Sequence, residues 1–177
     1  MTRHLTRKDY TEMPWINGRG LTIEIMRKSA PGDGFLWRFS MATVTEDGAF
    51  SLLPGIERNL TVIDGPGFDL IGAASFRAEA LMPVAFPGDI PLAAQNVTGK
   101  ATDFNVMTMR TLQKPKVEVV ANAPLAALPG ATLCLFTLGP AQFGPYSLAP
   151  NDFLFDAPDA AVTGAQVLAI HLFESPT

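Results

Sequence analysis

The sequence predicts an all-β fold with little helix, and three observations support this. Short runs of alternating or wholly apolar residues recur along the chain. Gly and Pro, 15 of each, break it every few residues. No segment sustains the long amphipathic period that β/α units would need between strands. Many short strands between turn signals belong to sandwiches and barrels.

Taken in order, "LTIEIM" (21–26) alternates Leu21, Ile23 and Ile25 with Thr22 and Glu24. It follows "MPWINGRG", where Trp15 leads into Asn17-Gly18-Arg19-Gly20. Glycines at 18 and 20 open backbone conformations that few other residues adopt. "FLWRFSMATV" (35–44) puts Phe35, Trp37, Phe39 and Met41 on one face and Leu36, Arg38, Ser40 and Ala42 on the other. "NLTVID", "GFDLIG" and "SFRAEAL" continue the series. "DFNVMTMR" (103–110) sets Asp103, Asn105, Met107 and Met109 against Phe104, Val106, Thr108 and Arg110. "VEVVA", "TLCLFTL", "DFLFDAP" and "QVLAIHLF" complete the strands, and "ANAPLAALPG" (121–130) is the one stretch that could hold a turn of helix.

There is a faint internal echo. "LTVIDGPGFDLIG" precedes "ALMPVAFPGDIPLAA", and later "TLCLFTLGPAQFG" precedes "YSLAPNDFLFDAP". Each reads strand, Gly-containing turn, strand, then Pro-Gly-Asp (87–89) or Pro-Asn-Asp (150–152). This is the rhythm of a cupin half-barrel. The expected architecture is a bicupin, one compact unit of 177 residues with approximate halves 1–112 and 113–177.

The net charge of −4 and a pI near 5.1 exclude the basic footprint of a nucleic-acid binder. No apolar run is long enough to span a bilayer, and "MTRHLTRKDY" lacks the apolar core of a secretory signal. The lone Cys134 has no internal disulfide partner and reads as a small buried hydrophobe. A cytoplasmic protein is expected. Exposed strand edges in such barrels invite pairing, so a homodimer is compatible with this reading.

The two histidines, His4 and His171, lie in the first and last strands outside any H-x-H or H-x-x-x-H pattern. No metal and no cofactor are therefore expected. There is no G-x-S-x-G elbow and no phosphate-cradling G-x-x-x-x-G-K. The arginines are more informative. Arg38 sits mid-strand in an apolar run, where burial is costly unless the guanidinium is paired or binds a ligand. Ion pairs could join Arg38 to Glu24, Arg58 to Glu57 or Asp64, and Arg110 to Asp103 or Glu118. Together the three arginines suggest a polar interior that accepts a carboxylate, whose geometry the guanidinium fork matches. Trp15, Trp37 and Phe104 are candidate walls.

"PWINGRGLTIEI", "WRFSMATVTEDGAFSLLPGIERNLTVIDG", "FPGD" and "DFNVMTMR", in that order, resemble the HutD/Ves family, strongly over residues 10–112 and in outline beyond. The resemblance implies a bicupin, usually without bound metal, associated with histidine-utilisation genes and thought to act there as a regulator. It implies a small acidic ligand such as formylglutamate or urocanate, and binding more than turnover. Carried over by motif, the ligand-binding candidates are Trp15, Asn17, Gly18, Gly20, Thr22 and Glu24. The tryptophan strand adds Trp37, Arg38 and Ser40. "FSLLPGIER" adds Phe50, Ser51, Pro54, Gly55 and Arg58, and the last stretch Asp103, Phe104, Asn105 and Arg110. The chain departs from the family pattern at Arg19, where a glycine is usual, and at Ile16. Two other readings remain open. One is an enzyme with Glu24 or Asp103 as general base. The other is a structural or partner-binding protein whose polar interior is an ion-pair network.

Overall fold

The computed structural model describes residues 1–15, 20–32 and 34–176. Asn17, Gly18 and Arg19, singled out from the sequence, lie outside these residues. The only helix among the described residues is the 3₁₀ turn Arg7–Asp9. It is held by a reciprocal cap in which the Thr6 backbone N–H donates to Asp9 Oδ2 at 2.8 Å and the Thr6 hydroxyl donates to the same atom at 3.0 Å. The all-β expectation holds.

The chain forms two compact units, Thr11–Thr111 and a second made of Met1–Tyr10 with Leu112–Thr177. The sequence halves of 1–112 and 113–177 differ from this division in one substantial respect: the first ten residues go with the C-terminal unit. There, Arg3–Leu5 pairs antiparallel with Phe153–Phe155, a partner that no local pattern announces.

In the unit Thr11–Thr111, a six-stranded sheet runs Thr11–Pro14, Leu21–Ser29, Phe35–Val44, Ala101–Met109, Ile56–Asp64, Val84–Pro87. A four-stranded sheet runs Gly48–Ala49, Leu92–Gln95, Phe68–Gly72, Ser75–Ala78. Leu60, Val62, Phe68 and Leu70 are fully buried between them and anchor an apolar cluster with Val44 and Ala101. Burying each such side chain contributes roughly 1.5–3 kcal/mol. Gly65 makes one tight turn possible: its φ is +83°, and a Cβ there would meet the Lys100 carbonyl at 2.1 Å.

The second unit repeats the plan. One sheet runs Arg3–Leu5, Phe153–Phe155, Ala131–Thr137, Val167–Phe173, Lys116–Val120, and the other Ala123–Leu125, Ala160–Gly164, Ala141–Phe143, Tyr146–Leu148. Its core is apolar, built on Leu133, Leu135, Phe143, Leu154 and Val162. Residues 121–130, the one stretch that could have held a helical turn, form a strand and a turn. Asn122 adopts a left-handed φ of 50°, and Pro129 cannot donate within a helix.

Candidate functional site

Period-two alternation in three adjacent strands builds the site. Across the central strand, Met107 lies opposite both Arg38 and Arg58, Asn105 opposite Ser40 and Leu60, and Asp103 opposite Ala42 and Val62. The side chains of these rows share one face; Leu60 and Val62 belong to the apolar core, and the others line a cavity of about 760 Å³ within the unit Thr11–Thr111. That size suits a small organic ligand. Met13, Pro14, Trp15 and Thr22 stand along one part of the lining, and the segment from Thr43 to Ser51 along another.

The floor is polar and buried. Ser40, Asp103 and Asn105 are each 1% exposed and Arg58 is 7% exposed. Arg58 Nη2 donates to Asn105 Oδ1 at 2.8 Å, and Asn105 Nδ2 in turn donates to Asp103 Oδ1. The Arg58 guanidinium also lies over two rings, 5.0 Å from the centroid of Phe50 and 5.3 Å from that of Phe86. Among the described residues, Ser40 Oγ, Arg58 Nε and Asp103 Oδ2 make no hydrogen bond. A buried polar group without a partner is costly, on the order of 1–3 kcal/mol, and such groups mark sites with another role.

Burial sets the charges. It pushes the Asp103 carboxyl up to about 7, against an opposing pull from the Arg58 charge and the Asn105 hydrogen bond. Burial also pushes Arg58 down to about 10; Asp103 counters that shift and Arg38 adds to it. Arg58 is therefore cationic at neutral pH, while Asp103 is poised between its two forms.

Arg38 is held by Glu24, with Nε 2.9 Å from Oε2; the alignment is that of an ion pair more than of a hydrogen bond. Arg27 Nε stands 3.7 Å from the other Glu24 oxygen, and Arg38 Nη2 reaches the Met13 sulfur at 3.5 Å. Trp15 donates its indole N–H to Thr22 Oγ1 at 2.8 Å. Its ring covers Gly20, where an added Cβ would lie 2.6 Å from the indole. Gly20 has an ordinary φ, so it is needed for space and not for an unusual backbone conformation.

The structure thus brings Trp15, Thr22, Arg38, Ser40, Arg58 and Asn105 to one cavity, with Glu24 behind Arg38 and Gly20 beneath Trp15. Trp37 and Phe104 are placed elsewhere. As odd and even partners in their strands they point to the opposite face, where Trp37 is 2% and Phe104 0% exposed and both pack near Phe39. They are core and not cavity walls, as strict alternation requires. Arg110 is also outside the lining. It forks onto Asp89 with two bonds of 2.8 Å and donates through Nε to Glu57 at 2.9 Å, in place of the expected Asp103 or Glu118. Arg58 takes Asn105 as partner where Glu57 or Asp64 was expected, since Glu57 points away from it along the strand.

Sequence reasoning missed Phe86, which stands opposite Arg58 in the register, and Met13 beside Arg38. Neither is visible without the pairing; the nearness of "AFPGD" to a turn was the only signal. Among the described residues no three His, Cys, Asp or Glu side chains cluster as a metal site would need. His171 accepts the Leu128 N–H through Nδ1 at 3.2 Å, as a hydrogen-bonded strand residue. Burial pushes the Cys134 thiol up, so it stays protonated and inert.

The comparisons with known proteins give the fold and the family. HutD from Pseudomonas fluorescens SBW25, solved in a formate condition, superposes with a TM-score of 0.86 at 29% identity over 98% of both chains. A conserved protein of unknown function from Pseudomonas aeruginosa PAO1 gives a TM-score of 0.81 at 30% identity, again over 98% of both. The Escherichia coli pirin YhhW, solved with nickel(II), matches at TM-score 0.70 and 9% identity, a likeness of cupin fold alone. An uncharacterized 21.2 kDa protein in the hutC 3' region of Pseudomonas putida is 40% identical over 106 residues, 58% of this chain and 56% of that one. Protein Ves of Cronobacter sakazakii is 35% identical over 117 residues, 63% of this chain and 64% of its own. The chain spans less than two thirds of the length of these curated relatives. The HutD family model itself matches residues 7–169, which takes in all of Thr11–Thr111 with every cavity residue described above and most of the other unit, and the chain belongs to the HutD family.

Proposed function

We propose that the cavity binds a small carboxylate metabolite and that the protein uses this binding, without turnover, to regulate histidine utilisation. The observation that carries the reading is the floor: Arg58 Nε and Ser40 Oγ are buried donors without a partner, in one cavity with Arg38. A guanidinium stripped of water binds a carboxylate more strongly than one at the surface. Clamping by Phe50 and Phe86 removes much of the rotamer freedom that Arg58 would otherwise lose on binding. The pathway rests on the relatives, one described by its place beside hutC and another named HutD.

A thermal-shift screen against formylglutamate, urocanate, formate, glutamate and unrelated carboxylates tests the reading. A ligand at about a hundred times its dissociation constant stabilises the fold by about 2.7 kcal/mol. A selective shift, lost in Arg58→Met, is expected. A flat response across the panel would sink it.

A further inference from the structure

The polar floor has a fixed direction. Arg58 commits Nη2 to Asn105 Oδ1, which leaves the Asn105 amide N–H facing Asp103 Oδ1. Asp103 can therefore meet an incoming group only through Oδ2, which is buried and bonds to nothing among the described residues. Arg58 Nε and Ser40 Oγ are free in the same cavity. If Asp103 were charged, an anion drawn to Arg58 would meet a like charge in a dry space, which is strongly unfavourable. With a proton on Oδ2, Asp103 joins Arg58 Nε and Ser40 Oγ as a third unpartnered donor among the residues of one cavity.

We infer that the cavity takes a carboxylate together with one proton, which Asp103 carries. This rests on the small-carboxylate reading above. The proton comes from solvent and forms the Asp103 O–H bond; that hydrogen then bonds to the bound carboxylate, and no other covalent bond changes. The other charged groups facing Asp103 are Arg58 on its own floor, Arg38 from the neighbouring strand, Glu24 behind Arg38, and Glu46 and Asp47 along the lining. Glu24 and Arg38 offset each other at 2.9 Å, and Glu46 and Asp47 are exposed, where water screens them. Asp103 is thus the one acid whose charge the buried anion meets directly. Burial already holds its carboxyl at about 7, so neutral solution can supply the proton.

Calorimetry with formate and with formylglutamate, at several pH values and in two buffers of different ionisation enthalpy, counts the protons. Close to one proton taken up per anion at pH 8, falling toward none at pH 5.5, is the expected result. Affinity should weaken about tenfold per pH unit above about pH 8. Asp103→Asn should bind without proton uptake and with a flat pH profile. Binding without uptake at pH 8, or an unchanged pH slope in Asp103→Asn, overturns the inference and leaves the carboxylate site standing. Proton release, or affinity that rises with pH, also overturns it by showing Asp103 accepting from a donor on the ligand. No binding of either probe at any pH, with a flat thermal-shift response across the whole carboxylate panel, removes both readings. If Asp103→Asn fails to fold, the proton count on the unaltered protein decides alone.

Discussion

Arg58 and Asp103 stand on adjacent strands and meet through a single side chain, Asn105, which accepts from the first and donates to the second. Replacing Asn105 by Ala would leave Arg58 Nη2 and Asp103 Oδ1 without that partner. At about 1–3 kcal/mol per buried orphan, Asn105→Ala should lose several kcal/mol in urea denaturation and also lose carboxylate binding. A loss below about 1 kcal/mol would mean that the relay does not exist.

The raised Asp103 carboxyl makes a pH prediction for the free protein. A carboxyl near 7 in the fold against 3.8 for a freely solvated aspartate means that the native state binds more protons than the unfolded one between those limits. Stability should therefore fall as pH rises from about 4 to about 7, by up to a few kcal/mol. Asp103→Asn should flatten this part of the profile. A wild-type profile that is already flat from pH 4 to 7 would place the carboxyl in its ordinary range.

Arg58→Met replaces a clamped guanidinium with an apolar chain between Phe50 and Phe86. The exchange leaves Asn105 Oδ1 without its donor and should cost about 1–3 kcal/mol, least at pH 6 where Asp103 can hold a proton, so the fold should persist there at lower stability while carboxylate binding disappears. Above pH 7 the variant should lose stability faster than wild type, because Arg58 no longer draws the Asp103 carboxyl down. Retained binding in a folded variant would exclude Arg58 from the site.

Arg38 and Arg110 make an informative pair. Arg38→Ala should abolish binding; unchanged affinity with only a lower melting temperature would make Arg38 structural. Arg110, forked onto Asp89 and Glu57 outside the cavity, should behave in the opposite way. Arg110→Ala should lower the melting temperature and leave carboxylate affinity as it was.

Gly20→Ala drives a methyl into the Trp15 indole, whose ring is partly exposed and can yield toward solvent only by giving up its bond to Thr22. The expected result is loss of the Trp15–Thr22 hydrogen bond and a red-shifted tryptophan emission, with Trp37 as a buried, unmoved reference. An unchanged spectrum would show that the backbone yields instead.

Much of this site was legible before any coordinates, and the reason is local. A strand has a side-chain period of two, so placing Arg38 with Ser40, and Asp103 with Asn105, needed only the alternation of "FLWRFSMATV" and "DFNVMTMR". The same rule, applied strictly, would have put Trp37 and Phe104 on the opposite face. Partners across strands were not legible, because register depends on tertiary pairing. Arg58 could be seen to be unusual, but its neighbours Phe86 and Asn105 come from strands 28 and 47 residues away. Arg110 was drawn to Asp89 by a turn whose position only the barrel determines.

The pairing of Arg3–Leu5 with Phe153–Phe155 has a consequence for how the chain is made and handled. Arg3–Leu5 must wait, unmatched, until Phe153–Phe155 have been made, whereas Thr11–Thr111 can close on its own in the meantime. Deleting the first five residues, or fusing a bulky tag there, should thus spare the cavity-bearing unit next to them in sequence. The damage should fall at the distant end of the chain, where the strand around Leu154 would be left with a naked edge, open to pairing with a neighbouring molecule.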